Sequence, residues 1–259
     1  MEHIIDTHFH LLHMHKQGID VEAFLSEELA DKLAFGIDIA VDEQNFEKRI
    51  ELAACCPNIY HSVGLSPSCA EYSEKQMENA LAAVERQASK QKVIAIGEMG
   101  MDFHWNYSTP EKQKQLFKRQ IEIANRVNVP VIIHNRKADK DVLQVLQETP
   151  PQNGGIMHCY SSSAELVNQF VQLGMYISFA GNVTFKNAEY LRQAAQMVPS
   201  GRILVETDSP FLSPEPERGK TNTPLKIEHI YNVIAKVRNI NTKTLFDTVS
   251  NNINILFNF

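Results

Sequence analysis

Four histidines, His8, His10, His13 and His15, fall within the stretch DTHFHLLHMH of a chain that has only ten. Side chains two residues apart on an extended segment point the same way, so His8 and His10 can offer two imidazole nitrogens to one cation. His13 and His15 lie beyond Leu11 and Leu12, where the chain is expected to have entered a loop, and they are expected to be exposed there. Their interleaving with Phe, Leu and Met does not resemble an affinity tag. Four further segments carry donors: GEMGMD with Glu98, IIHNR with His134, MHCYS with His158 and ETDSPFL with Asp208. Imidazole and carboxylate suit a hard or borderline divalent ion. Six such groups exceed the needs of one tetrahedral ion, and two ions bridged by a carboxylate fit better. Taken singly, a strand-end histidine is more often part of a hydrogen-bonded core than a ligand, and a strand-end acid can simply cap the next helix. Those explanations would all have to hold independently to place polar groups at five separate strand ends.

The elements that must position these groups alternate. Strands are expected at 3–8, 36–41, 59–64, 93–98, 129–134, 154–159, 175–180 and 202–207, with amphipathic helices between them. In TPEKQKQLFKRQIEIANRV, Thr109 can cap, Pro110 suits the first turn, and Leu116, Ile121, Ala124 and Val127 keep one apolar face. A second helix starts from Ser73, and two more are expected over about 224–237 and 242–256. Eight strands alternating with helices predict a single-domain α/β protein, a (β/α)₈ TIM barrel spanning 1–259; a barrel needs roughly 250 residues and works at the C-terminal ends of its strands. No GxGxxG follows the first strand, which argues against a dinucleotide-binding sheet.

Composition agrees with a soluble globular chain, 43% hydrophobic and 22% charged. A net charge of −6 provides no global basic field for long duplex nucleic acid. Four cysteines at irregular spacing suggest neither a disulfide framework nor a CxxC zinc site. With no signal-like or membrane-spanning run, a cytoplasmic location and no membrane are expected.

The segments DTHFH, GEMGMD, PVIIHNR, HCYS, ETDSPFL and RGKTNTP together resemble the TatD family of metal-dependent hydrolases, within the amidohydrolase superfamily of barrels. They span nearly the whole chain in the family's order. The resemblance implies that His8, His10, Glu98 and Asp208 hold one ion and Glu98, His134 and His158 a second, both of them Mg, Mn or Zn. It implies hydrolysis of DNA phosphodiesters, often from 3′ ends. The chain departs from the family's pattern in three places. Ser66 stands where GxHP has histidine, Thr223 stands where NEP has its acid, and HLLHMHKQGID replaces an aspartate-rich loop.

Two ions about 3.5–4 Å apart would polarise a phosphoryl oxygen and lower the pKa of a bridging water, with Asp208 as the expected catalytic base. Asp6 and Glu206 share the inward parity of His8 and Asp208 and are expected either to orient imidazoles from behind or to cap local structure, whereas no role follows for Asp102. Arg136, Arg218 and Lys220 are the expected phosphate contacts. Phe103, His104, Trp105 and Tyr107 offer ring faces for an unpaired base. The expected substrate is a DNA 3′ end or a short oligonucleotide, with no obligate protein partner. Hydrolysis of carboxylic esters or amides, and metal binding without turnover, are the alternatives.

Overall fold

The computed structural model describes residues 3–105 and 107–259. Eight parallel strands pair in sequence order: β1 (Ile4–Phe9), β2 (Leu33–Asp38), β3 (Ile59–Val63), β4 (Val93–Asp102), β5 (Val131–Arg136), β6 (Gly155–Met157), β7 (Met175–Phe179) and β8 (Ile203–Val205). Among the described residues ten α-helices accompany them: α1 (Leu11–Lys16), α2 (Val21–Ala23), α3 (Phe46–Ala53), α4 (Glu74–Ala88), α5 (Pro110–Val127), α6 (Asp139–Glu148), α7 (Val167–Gln172), α8 (Glu189–Met197), α9 (Ile227–Val237) and α10 (Thr242–Phe257). The result is the (β/α)₈ barrel read from the sequence. Its strands are buried almost throughout, as expected where helices cover a parallel sheet. None of the helices among the described residues is long and apolar enough to cross a membrane.

Closure of the ring is unusual. β8 pairs with β7 along Ile203–Val205, but backbone pairing with β1 is made by the segment that follows β8, β8 itself meeting β1 through the Thr7 hydroxyl on Val205 O. Phe9 bridges Ser209, Asp208 N–H donates to His8 O at 2.9 Å, and His10 N–H donates to Ser209 O at 2.8 Å.

The strand and helix limits differ from the sequence reading in instructive places. β2 starts at Leu33, because Leu33 and Phe35 alternate inward around exposed Ala34. It ends at Asp38, leaving Ile39, Ala40 and Val41 beyond the strand. β4 runs past Glu98 to Asp102. HLLHMH is a helix rather than a loop: Leu11 and Met14, three apart, are both fully buried, and the Asp38 carboxylate accepts the Leu11 N–H at 2.9 Å, satisfying one orphan donor of the first turn. Thr109 does cap α5, its hydroxyl accepting the Lys112 N–H at 3.4 Å, and Pro110 occupies the first turn. The expected helix over 224–237 opens with a 3-10 turn, Pro224–Lys226, before α9 begins.

Candidate metal centre

His8 and His10 straddle the end of β1, both buried, with their Nε2 atoms 3.2 Å apart. His10 Nδ1 lies 3.3 Å from Ile39 O, and a bond from N–H to that carbonyl leaves Nε2 as a bare lone pair. His8 Nε2 faces Glu98 Oε2 at 3.5 Å and Asp208 Oδ1 at 3.6 Å. His10 Nε2 faces the same two oxygens at 3.8 and 3.4 Å.

Glu98 reaches this point because the β4–β5 register breaks between Ile96 and Met99, and such an irregularity re-aims a side chain. Two residues on, Gly100 sits at φ 136°, and a Cβ there would lie 2.0 Å from His134 O. Only glycine allows β4 to approach β5 so closely beside His134. The other carboxylate oxygen, Glu98 Oε1, lies 3.3 Å from His134 Nδ1. His134 Nδ1 is 3.2 Å from His158 Nε2, and the His158 ring stacks on His8 with centroids 3.9 Å apart. Asp208 follows β8 with φ 57°, a left-handed conformation that aspartate tolerates better than most residues.

All six expected ligands therefore converge. Three overlapping groups, His8–His10–Glu98, His8–His158–Asp208 and Glu98–His134–His158, each bring donor atoms within 4.8 Å of one another. Tetrahedral coordination with bonds of ~2.0–2.2 Å needs donors about 3.3–3.6 Å apart, close to the separations found here. The set consists of lone-pair donors and carboxylates aimed at shared points, which is the chemistry a divalent cation requires, and Glu98 presents one oxygen to each side.

Behind the donors sit the groups that orient them. Asp102 Oδ2 is 2.9 Å from His134 Nε2, while Asp102 Oδ1 accepts the N–H groups of His104 and Trp105 at 2.8 and 3.0 Å. Sequence reasoning gave Asp102 no role, although its place four residues after Glu98 on one strand was the available signal. Glu206 Oε1 accepts the Cys159 N–H at 2.6 Å and lies 3.3 Å from His158 Nδ1. Asp6, expected to hold an imidazole, serves the backbone instead. Its carboxylate accepts the N–H groups of His8 and Thr207 and the Thr207 hydroxyl, tying β1 to the segment after β8. Burial pushes Asp6 up to about 8 despite those bonds.

Asp38, Arg49 and His61 form a buried charged cluster that the sequence did not single out. Asp38 Oδ2 accepts from Arg49 Nε at 2.8 Å and lies 3.0 Å from His61 Nδ1. Arg49 also donates to Asp38 O and Ser62 O. Since Asp38 Oδ1 anchors Leu11, the residue after His10, this cluster fixes the exit of β1. Burial opposes ionisation of Asp38, but Arg49 and His61 hold it below the usual carboxylate range.

The rim is less uniform than expected. His15 is exposed, but His13 is half-buried on α1, its ring centroid 5.2 Å from that of His10 and 5.6 Å from that of Phe211. Burial, with His10 and Lys16 nearby, pushes His13 down to about 4. Arg136 stacks on Trp105 at 5.6 Å and Arg218 on Phe185 at 3.8 Å, leaving both guanidiniums without an ion pair among the described residues. Lys220 differs: its ammonium is paired with Glu217 at 2.8 Å. Ser66 shares a hydrogen bond with Ser68 at 2.8 Å. Asn222 donates to Thr207 O and Phe211 O and accepts the Thr223 N–H.

The site's electrostatics carry a testable sign. Burial disfavours a charged ring at His134, yet the carboxylates of Asp102 and Glu98 prevail and push it up to about 9. In the metal-free protein the stabilisation of that protonated ring is present below the ordinary imidazole range and is lost as pH rises through about 9. A cation at Nδ1 requires the neutral ring. Its apparent affinity should therefore climb with pH and level off near about 9, as a competition titration against a chelator would read. In Asp102→Asn the affinity should fall about 10- to 100-fold and the pH dependence should flatten. A flat profile in the unaltered protein would contradict this account.

Comparison with known proteins adds the following. Residues 5–258 match the family model described as TatD related DNase. An uncharacterized metal-dependent hydrolase of Bacillus subtilis, YabD, is 35% identical over 255 residues, 98% of either chain. YcfH of Escherichia coli, also an uncharacterized metal-dependent hydrolase, is 33% identical over 98% of this chain and 95% of its own. Among solved structures, YjjV, a TatD homologue from Escherichia coli, superposes with a TM-score of 0.84 at 27% identity, covering 99% of this chain and 98% of the other.

Proposed function

Because the chain belongs to the TatD family of metal-dependent hydrolases, we propose that it is a two-metal phosphodiesterase that shortens single-stranded DNA or short oligonucleotides from their 3′ ends. The observation that carries this reading is the placement of Glu98 between two donor sets, with Oε2 toward His8 and His10 and Oε1 toward His134. Two divalent ions held there, whether Mg, Mn or Zn, would supply Lewis acidity toward a phosphoryl oxygen and lower the pKa of a water.

The chain's own residues do the rest. Burial pushes the Asp208 carboxyl up, but His10, His8 and His158 hold it below the usual carboxylate range. It is therefore ionised at neutral pH and available to accept the proton of an attacking water. Glu98 is held well below its usual range by the same balance, burial being outweighed by His134, His158 and His8. Asp102 and Glu206 keep the rings of His134 and His158 turned toward the centre. Arg136 and Arg218, stacked but unpaired, are preorganised for bidentate contact with phosphate oxygens. They supply locally the positive field that a net charge of −6 denies the surface as a whole.

The test is direct. Purified protein with magnesium, manganese or zinc is incubated with 5′-labelled single-stranded DNA, beside a panel of carboxylic esters and amides. A metal-dependent ladder of products shortened from the 3′ end is the expected result. Ester or amide turnover with intact DNA would replace this reading with the alternative hydrolase chemistry. DNA binding without cleavage under every ion would leave a binding module.

A further inference from the structure

Among the described residues, the large hydrophobic side chains that are more than about two-fifths exposed are Trp105, Tyr190, Met197, Phe211, Ile255 and Phe259. Tyr190 and Met197 lie on α8, and Ile255 and Phe259 lie on or after α10. Of these, Trp105 and Phe211, 52% and 42% exposed, stand on segments that follow the donor-bearing strand ends. They stand across the mouth from each other. Trp105 follows β4 and carries the Arg136 guanidinium from the end of β5 on its ring. Phe211 follows β8 on the segment that joins β1. In a ring ordered β1 to β8, the β4–β5 edge and the β8–β1 seam are diametrically opposed, with the donor cluster between them.

The backbone of each residue is also tied to the cluster. The Trp105 N–H donates to Asp102 Oδ1 at 3.0 Å, and the other oxygen of that carboxylate lies 2.9 Å from His134 Nε2. The Phe211 N–H donates to Asp208 O at 2.9 Å, and its ring centroid lies 5.9 Å from that of His10. Asn222 holds the Phe211 carbonyl from behind at 2.7 Å. Two exposed aromatic residues thus have positions tied to the reacting centre, and among the described residues the indole meets the Arg136 guanidinium over its ring and the His104 ring edge-on at 4.8 Å. Base rings and phosphates satisfy such a surface together, because every base has a π-face and the guanidinium takes the phosphate.

Resting on the phosphodiesterase reading above, we propose that Trp105 and Phe211 are paired base platforms, one for each nucleotide flanking the scissile phosphate. The site then accepts a dinucleotide step whose two bases are unpaired and turned apart, and it excludes a stacked duplex end.

Trp105 is the only tryptophan in the chain, so its emission reports one platform directly. The experiment uses full-length Asp208→Asn protein with magnesium and short oligothymidylates. These are intact or carry an abasic residue at the terminal or the penultimate 3′ position, and binding is followed independently by anisotropy of a 5′ dye. Intact oligonucleotide should quench the tryptophan, and one of the two abasic positions should abolish the quench. Phe211→Ala should weaken binding of the intact oligonucleotide by about 5- to 150-fold, and the loss should vanish when the other base is already missing.

Saturating binding with unchanged emission would overturn the proposal, as would losses that ignore which base is absent. Turnover of methyl p-nitrophenyl phosphate by the unaltered enzyme, an ester with no base, separates the two readings. If that turnover and 3′ shortening persist while the tryptophan stays silent, only the platforms fall. If oligonucleotide does not bind and no phosphodiester is cleaved, both readings fall.

Discussion

Asp208→Asn should lower kcat on a small phosphodiester by about 10²- to 10⁴-fold, the usual worth of a positioned general base. Asparagine keeps the shape and the backbone bond to His8 O, so the ring closes as before. What disappears is the negative charge that faces His8 and His10 at 3.6 and 3.4 Å, and with it the proton acceptor. Metal content measured on the same preparation separates the two roles. If the variant retains its metal and loses turnover, the loss lies in proton transfer; if the metal is lost as well, Asp208 acts chiefly as a donor to the cation. Activity within tenfold of the parent would remove Asp208 from the chemistry.

Asp38→Ala should cost about 3–5 kcal/mol of stability, the range found when one partner of a buried ion pair is removed. The substitution leaves Arg49 buried beside His61 with no carboxylate and deprives the Leu11 N–H of its acceptor. Urea denaturation should show the loss as a lower midpoint. Replacing Asp38 and Arg49 together by apolar residues of similar volume should recover much of it, because neither charge is then stranded. The pH dependence follows from the depressed Asp38 carboxyl. Its contribution is present above the ordinary carboxylate pKa and is lost as pH falls through the lower folded value. The single variant should therefore resemble the parent most closely in acid. A cost under about 1 kcal/mol would mean that water reaches this cluster.

The six candidate donors were legible in the sequence because each lies at or near the end of an apolar run; parity aims His8 and His10, while a register break turns Glu98 and a left-handed backbone turns Asp208. The eight strands were legible for the same reason. What escaped depended on contacts between distant segments. The helix at Leu11–Lys16 reads as a polar loop until Asp38 is seen to accept the Leu11 N–H, and only then do Leu11 and Met14 register as a buried pair at helical spacing. Asp38, Arg49 and His61 lie on β2, α3 and β3, and no local pattern relates them. Asp6 and Glu206 have the same inward parity, yet Asp6 grips the His8 and Thr207 amides and the Thr207 hydroxyl, whereas Glu206 reaches the His158 ring as well as the Cys159 amide. Lys220 stands beside Arg218 along the chain, but its ammonium is paired with Glu217 whereas Arg218 lies on the Phe185 ring.

The barrel's seam has a consequence beyond geometry. First and last strands are joined by Phe9–Ser209, by the backbone bonds of His8, His10 and Asp208, and by the side-chain bonds of Asp6 to Thr207 and of Thr7 to Val205, and His8, His10 and Asp208 also belong to the candidate metal centre. Anything that draws those three side chains together tightens the clasp that shuts the cylinder. By linkage, loading the centre and resisting its opening are a single equilibrium.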